Sequence, residues 1–314
     1  MAADLLRING PTARVPIEPA RQSTMNLHQL LLDLPNWLVF AFVVVNMLAL
    51  GMELTVRKIV DPLRDLRLTA KALIASFVLV PLTAYFLVNN LRLEHGFALG
   101  LILLACSAGD PFVTKLTQSA KGDKPYSLAV MAMLSLVTVV YMPIVVPLLL
   151  PGTKVDPVEI AKPLLVLIIV PLVVGLVVRA RAAQFAHTWA PRLDRLASFL
   201  VYAAVILFAV VHYAAIAAAV GAHAILAACV LVSTGVVYGY LLGGPNQQHR
   251  GDLAINTAWR GVSAGMAVGI KNFPAEQHVF TMAIIVVIIS SMILMPLSAT
   301  YLRGKNLARS GAAA

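Results

Sequence analysis

Long stretches without charge constrain this chain more than any other feature of its sequence. Residues 34–52, 126–150, 196–222 and 279–302 contain no Asp, Glu, Lys or Arg. Each is long enough, at about 1.5 Å per residue, to cross a hydrocarbon core of about 30 Å as an α-helix. The stretches lack the alternation of apolar and polar residues that the strands of a membrane barrel need. The sequence therefore predicts an all-α polytopic membrane protein.

The overall composition supports this class and divides the chain into three parts. Hydrophobic residues make up 60% of the 314 residues and charged residues only 12%, whereas about a quarter of a soluble domain is charged. Residues 1–27 are polar and lack the apolar core of a signal peptide, so we expect a disordered leader there. A transmembrane domain is predicted over 28–302, followed by a cytoplasmic tail over 303–314.

Hydropathy divides the transmembrane domain into nine predicted crossings. They lie at about 30–52, 68–89, 96–121, 125–150, 158–180, 194–216, 222–243, 251–273 and 279–302. An odd number of crossings places the two termini on opposite sides of the membrane.

The basic residues indicate which side is which, since Lys and Arg accumulate in cytoplasmic loops. They cluster on the side of the C-terminus, at 57–71, 121–124, 179–195, 250 and 303–309. We therefore expect a multi-pass protein of the cell (inner) membrane with its N-terminus outside and its C-terminus in the cytoplasm.

The charges and the absence of other motifs exclude several function classes. The net charge of +10 follows from the basic inner loops and does not indicate a nucleic-acid partner. Cys106 and Cys229 both lie in apolar helices and are interpreted as packing residues. The sequence has no set of nucleophile and base, and no metal-ligand set, at helical spacing. It therefore predicts neither an enzyme nor a cofactor, and the expected partners are a substrate and membrane lipid.

Polar residues interrupt the third predicted crossing. Its segment LLACSAGDPFVTKLTQSAKGD places Asp110 directly before Pro111. This pair is typical of a helix start, with the carboxylate as N-cap and Pro at the first helical position. Because lipid cannot satisfy free backbone groups, such a break must face protein or a water-filled cavity. The new half-helix would place Thr114 and Lys115 about one turn beyond the break.

The eighth predicted crossing is interrupted in the same way. In LAINTAWRGVSAGMAVGIKNF, Asn256 and Thr257 can cap a second half-helix, with Arg260 about one turn further on. The third crossing runs from outside to inside and the eighth from inside to outside, so the two lie in inverted halves of the chain. Paired interrupted segments in inverted repeats indicate the binding site of a transporter.

A row of glycines follows the second break. Gly261, Gly265 and Gly269 recur every four residues and form one smooth helical face. Such a face allows another helix to approach closely. Two broken helices that cross at their breaks would use it.

Charges at the two breaks are costly and need a reason. On insertion scales a central Asp, Lys or Arg costs about 2.5–3.5 kcal/mol, whereas a Leu or Ile contributes about 0.3–0.6 kcal/mol. One interpretation is a structural ion pair of Asp110 with Arg260 or Lys115. The other is that the charges line a path for a substrate or an ion. The two interpretations are compatible, and both stay open at this point.

Three segments carry a family resemblance: LGMELTVRKIVDPLR, LILLACSAGDPFVTKLTQSAKGD and NTAWRGVSAGMAVGIKNF. They resemble the bile acid:sodium symporter superfamily, in its subgroup of prokaryotic sodium-dependent transporters, over about residues 35–302. The resemblance implies a ten-helix inverted-repeat fold, here with the first helix absent. It also implies a panel domain, a core domain with two crossing broken helices, and alternating access by relative movement of the domains.

The resemblance implies sodium ligands at some positions. Thr114, Ser127 and Asn256 would form a first sodium site, and Ser76 lies near the position of a Gln that belongs to a second site. Met131 stands where the family has a further Thr ligand.

Two departures oppose cation binding. The family's acidic ligand is Asn256 here, and its Gln four residues later is Arg260. A fixed guanidinium repels a cation bound close to it. Alternatively, Arg260 or Lys115 replaces the cation permanently and binds the carboxylate or sulfonate of an organic anion.

The sequence thus predicts a secondary transporter of a small organic anion that works by alternating access, with sodium as the coupling ion. Proton coupling through Asp110, sodium-independent exchange and, less favoured, a channel are the alternatives. The predicted substrate- and ion-binding residues are Asp110, Thr114, Lys115, Ser127, Asn256, Thr257 and Arg260, with Ser76 for a second sodium site.

Overall fold

The computed structural model describes residues 27–55, 65–110, 112–119, 122–150, 156–211, 213, 223–273 and 276–311. Within these ranges every regular element is a helix, in agreement with the predicted all-α class. Nearly all of the predicted leader lies outside the described residues, as do some of the inner basic residues, among them Arg57 and Lys121.

The helices follow the predicted crossings in order. They are α1 (Leu27–Glu53), α2 (Leu66–Leu91), α3 (His95–Cys106), α4 (Phe112–Ser119), α5 (Lys124–Leu149), α6 (Pro157–Arg181), α7 (Ala183–Val211), α8 (Ala224–Leu242), α9 (Gln247–Ala258), α10 (Val262–Asn272) and α11 (Gln277–Gly311). Helices α3 and α4 form the third predicted crossing, and α9 and α10 form the eighth. Helix α11 continues to Gly311, so residues 303–311 extend the last helix.

Several helices are suited to a membrane by length and composition. Within the described residues, five helical spans are long and apolar enough to cross one: Leu66–Leu91, Pro125–Leu149, Pro157–Arg181, Ala224–Leu242 and His278–Ser298. Large apolar side chains point outward from them; Phe86 of α2 is 64% exposed and Met292 of α11 is 70% exposed. Such faces are stable against lipid and costly in water. The protein is therefore a multi-pass membrane protein.

The helices pack in two groups. Helix α1 packs along α7 and the second half of α6, while α2, α3, α5, α8, α9, α10 and α11 contact one another. Glycines bring α1 and α6 together, since a Cβ on Gly51 would lie only 2.9 Å from Cα of Gly175. The two groups meet where α6 contacts α5 and α10, where α1 contacts α10 and where α7 contacts α11.

A proline shapes α2 where it approaches the broken helices. Residues Ala75–Leu79 form a π-helical turn just before Pro81. Because Pro81 has no N–H, the carbonyl of Phe77 lacks its helical donor, and the hydroxyl of Tyr141 on α5 donates to it instead. The neighbouring carbonyl of Ser76 also accepts a bond from outside the helix. The turn therefore offers backbone acceptors to the centre of the protein.

Side chains of α5 satisfy the backbone of the first break. Thr138 Oγ1 accepts from the N–H of Ala108 and donates to its carbonyl, both at 2.9 Å. Ser135 Oγ donates to the carbonyl of Gly109. Gly109 has φ +79°, and a Cβ there would lie 2.3 Å from the backbone nitrogen of Ser135. The break thus packs on α5 only with glycine at this position.

The second break differs from its prediction. The expectation that Asn256 and Thr257 cap the second half-helix is wrong, because α9 continues through both residues to Ala258 and Gly261 precedes α10. Instead of capping, the Asn256 amide donates to the carbonyl of Asp252, one turn back in the same helix. Arg260 therefore lies in the break itself.

Gly109→Ala should destabilise the protein much more than Gly244→Ala. The two glycines have φ +79° and +80°, so the left-handed backbone costs each alanine a similar amount, about 1–2 kcal/mol. Only at Gly109 does the new methyl group also meet a backbone; at Gly244 the nearest atom is Leu68 Cδ1, at 3.5 Å. Thermal unfolding of the detergent-purified variants measures the difference, and equal losses would contradict the packing argument.

Candidate functional site at the helix crossing

The two broken segments cross at their breaks and bond directly to each other. The N–H of Gly261 donates to the carbonyl of Ser107 at 3.0 Å. A Cβ on Gly261 would lie 3.3 Å from backbone atoms of Ser107 and Ala108, and one on Gly265 would lie 3.1 Å from Leu104 Cδ2. The predicted glycine face therefore makes the crossing contact through its first two glycines.

The carboxyl ends of α3 and α9 meet around Arg260, whose side chain is 1% exposed. Its Nε donates to the carbonyl of Leu104 at 3.2 Å, and Nη1 donates to that of Thr257 at 3.0 Å. Its Nη2 donates to the carbonyls of Ala105 and, at 3.1 Å, of Ser76. The last carbonyls of a helix carry partial negative charge and have no intrahelical donor. Arg260 supplies both the donors and the positive charge that these buried ends need.

The amino ends of α4 and α10 meet around Asp110, which is also buried. Its Oδ1 accepts the N–H of Phe112, the first residue of α4, at 2.9 Å. Its Oδ2 accepts the hydroxyl of Ser263, in the first turn of α10, at 3.5 Å. Negative charge is favourable at the amino end of a helix. The carboxylate thus accepts a hydrogen bond from the amino end of each half-helix.

The ion pair considered from sequence is not formed between these two charges. Within the described residues, Arg260 bonds to carbonyls and Asp110 to an N–H and a hydroxyl, and no ion pair joins them. Each charge is held by helix ends of the opposite polarity. The side chain of Lys115 lies outside the part of the chain whose side chains are described, so its pairing with Asp110 stays a prediction.

A cavity of about 270 Å³ lies beside the Asp110 end of the crossing. Its walls are largely apolar and come from both helix groups. Phe112 stacks on Trp259 with ring centroids 4.6 Å apart and meets Tyr202 edge-on at 6.1 Å. No lysine or arginine is among the described residues that line the cavity. These residues are Val39, Phe42, Asp110, Phe112, Val201, Tyr202, Ala204, Trp259, Val262, Ser263, Met266, Ala283, Ile284, Val287, Ile288, Ser291 and Met292.

A buried polar cluster joins α9 to the start of α5. The amide of Asn256 donates to Ser127 Oγ at 2.9 Å, and Thr117 Oγ1 lies 2.9 Å from the same oxygen. Asp252 accepts the N–H of Asp123 at 2.9 Å. Asn256 and Ser127 are 129 positions apart in the sequence, so the fold brings two of the predicted sodium ligands into contact.

Other predicted ligands are buried nearby. Thr114 is 8% exposed and precedes Thr117 by one turn of α4. Three of the predicted ligands have a buried side-chain oxygen without a hydrogen-bond partner, namely Ser76 Oγ, Asn256 Oδ1 and Thr257 Oγ1. Each such buried group costs about 1–3 kcal/mol. Oxygen atoms are also the ligands that hard cations take.

Sequence reasoning did not single out several residues of the site, among them Ser135, Thr138, Asp252, Trp259 and Ser263. Gly122 of the AKGD segment leaves room for the Asp252 carboxylate, since a Cβ there would lie 2.1 Å from Asp252 Oδ1. The others are small or aromatic residues whose roles depend on contacts between distant helices.

A protein-family model described as "Sodium Bile acid symporter family" matches residues 40–244, from within α1 to just past α8. The chain belongs to the sodium bile acid symporter family. Proteins of the sodium bile acid symporter family are membrane transporters and not enzymes. The second broken segment, with Arg260, lies beyond the matched residues.

Two curated plant proteins of Arabidopsis thaliana are similar to this family member. "Probable sodium/metabolite cotransporter BASS1, chloroplastic" is 27% identical over 212 residues, which cover 66% of this chain and 51% of the plant protein. "Probable sodium/metabolite cotransporter BASS3, chloroplastic" is 26% identical over 137 residues, which cover 43% of this chain and 32% of the plant protein. The chain spans about half the length, or less, of these relatives.

Substitution of Asp110 separates its hydrogen bond from its charge. Asn retains an acceptor for the N–H of Phe112 and equals Asp as an N-cap, so Asp110→Asn should unfold near the wild-type temperature. Asp110→Ala loses the acceptor and should lose about 0.5–2 kcal/mol. Thermal unfolding in one detergent compares the two. Equal and large losses would show that the negative charge at the helix ends, and not the hydrogen bond, stabilises the break.

Proposed function

We propose that the protein is a secondary transporter that carries a small organic anion across a cell membrane by alternating access, coupled to sodium. Membership of the family supports transport, and the names of the two plant relatives support a sodium-coupled metabolite. The observation that carries the proposal is the cavity at the crossing of the two broken helices. Broken helices in a transporter are tolerated where they line such a cavity.

The cavity lies between the two helix groups. Val39 and Tyr202 contribute from the group of α1, α6 and α7, whereas Asp110, Trp259 and Ile284 contribute from the other. Relative movement of two such bodies opens a central site first to one side of the membrane and then to the other. We assign the first group as the panel domain and the remaining helices as the core domain.

The polarity of the cavity indicates an amphipathic substrate. Apolar and aromatic walls bind hydrocarbon surface, and the phenol of Tyr202 can donate to an oxyanion. The hydroxyls of Ser263 and Ser291 can also donate once they turn away from Asp110 Oδ2 and the carbonyl of Val287, their present acceptors. Arg260, one of the residues predicted to bind the anion, has its three nitrogens bonded to carbonyls and does not line the cavity. Anion binding is therefore assigned to hydroxyl donors and to the cavity walls.

Sodium is assigned to the cluster around Asn256. Its unpartnered Oδ1, Ser127 Oγ and the nearby Thr114 hydroxyl are hard oxygen ligands in the interior of the core domain. Asn256→Ala removes the Oδ1 ligand and the amide group that donates to Ser127 Oγ. We place the N-terminus outside and the C-terminus in the cytoplasm, on the basis of the inner basic residues.

Asp110 favours a second candidate, proton coupling. Its carboxylate lies in the cavity wall, where an anion at about 4 Å would be repelled by about 4 kcal/mol at an effective dielectric of 20. A proton on the carboxylate removes this repulsion. Co-transport of a proton with the anion would follow, and Asp110→Asn should then transport without stimulation by acid.

Uptake into proteoliposomes tests both candidates. The substrates are amphipathic carboxylates and sulfonates, offered under an inward sodium gradient, an inward proton gradient or neither. We expect saturable uptake that sodium stimulates in the wild type and not in Asn256→Ala. Stimulation by acid alone would assign the coupling to protons, and flux that does not saturate would overturn the transporter assignment in favour of a channel.

Ala204→Phe should abolish this uptake or raise KM about tenfold or more, whereas Val210→Phe should not. Both residues lie on α7, but Ala204 is 1% exposed in the cavity wall and Val210 is 65% exposed on the outer face. The extra ring fills cavity volume only in the first case, and a tenfold effect corresponds to about 1.4 kcal/mol. Unchanged uptake by a folded Ala204→Phe variant would show that the substrate does not use this cavity.

A further inference from the structure

Backbone oxygens from three elements converge on one buried point in the core domain. The carbonyl of Ser76 comes from the π-helical turn of α2, those of Leu104 and Ala105 from the end of α3, and that of Thr257 from the end of α9. Converging carbonyls at the carboxyl ends of half-helices are the arrangement with which transporters hold a free cation. Here the positive charge at that point belongs to Arg260.

We propose that Arg260 is a built-in cation that fills a cation site of the transporter, so that no free ion binds there during transport. The inference deepens the proposed function, since it concerns how many ions accompany the substrate. A guanidinium suits the place because its planar fork presents five N–H donors in fixed directions. These hydrogen bonds engage all three of its nitrogens, and Arg260 is not among the described residues that line the cavity.

Two buried hydroxyls on residues that bind the guanidinium through their carbonyls also support the assignment. Ser76 Oγ and Thr257 Oγ1 belong to residues whose carbonyls bind Arg260, yet neither hydroxyl has a hydrogen-bond partner, and both residues are 0% exposed. These two residues therefore carry buried oxygens that the guanidinium does not use. We expect these oxygens to become ligands of a spherical cation once the guanidinium is removed.

Arg260→Ala tests the inference. Truncation removes the Arg260 donors from the carbonyls of Ser76, Ala105 and Thr257, whereas that of Leu104 still accepts from Ser107. We expect the melting temperature in choline chloride to fall by about 10 °C. Sodium, and separately millimolar guanidinium, should restore much of this loss in a saturable way, because a ligand that binds only the folded protein stabilises it. The rise in melting temperature on adding sodium should be larger for Arg260→Ala than for the wild type. Guanidinium should not stabilise the wild type at all.

Arg250→Ala is the matched control. Arg250 also donates to a backbone carbonyl, that of Gly244 at 2.6 Å, but it lies in the first turn of α9 and packs over Tyr240. Its loss should lower the melting temperature by a few degrees, with the same response to sodium and guanidinium as in the wild type. Rescue of Arg250→Ala equal to that of Arg260→Ala would overturn the inference, since the effect would then be a general one of the salts.

Arg260→Lys provides a variant that retains the charge. Its ammonium should keep the melting temperature above that of Arg260→Ala and should suppress the sodium response, because the site is already occupied. If neither sodium nor guanidinium raises the yield of folded Arg260→Ala or its melting temperature above the value in choline, the inference is wrong.

The measurement is independent of transport. Absence of sodium-stimulated uptake by the wild type would refute the proposed coupling and leave the rescue of Arg260→Ala intact. Conversely, a failed rescue would leave wild-type uptake unaffected. In proteoliposomes, the uptake by Arg260→Ala should depend more steeply on sodium than that of the wild type, because a further ion must bind; equal steepness would count against the inference.

Discussion

The structure depends on satisfying four helix ends in the interior of a membrane protein. Each break exposes carbonyls at one end and N–H groups at the other, and lipid offers no partner for either. The crossing gathers the two carboxyl ends around Arg260 and the two amino ends around Asp110. The two costly charges are stable there because each lies at ends of opposite partial charge, and their burial requires no direct contact between them.

Several less conspicuous residues make this crossing possible. Gly261 lets the two breaks approach each other, and Gly109 lets the first break approach α5. Thr138 hydrogen-bonds to the backbone between α3 and α4. Pro81 also contributes, although it lies in α2. It has no N–H to donate, and it follows the π-helical turn whose carbonyls accept from Arg260 and Tyr141. The site is thus built mainly from backbone groups, and side chains supply the charges.

The sequence was sufficient for what depends on local pattern and insufficient for what depends on distant contacts. The apolar stretches and the Asp110–Pro111 pair predicted the helices and the first break, because helix length and capping are local properties. The position of the second break could not be read in this way, since Asn256 and Thr257 are equally acceptable as caps and as helical residues. The partners of Arg260 were also hidden, because backbone carbonyls have no signature in sequence and three of the four belong to other helices.

A cation that is covalently part of the chain changes the energetics of accumulation. A free ion that enters with its substrate adds to the driving force about 2.3 kcal/mol per charge for each 100 mV of membrane potential. The guanidinium of Arg260 returns with the protein in every cycle and moves no net charge. The carrier therefore has a maximal concentration ratio about fifty times lower, at 100 mV, than one that binds a free ion at this place. In exchange, this position stays filled at any external salt concentration.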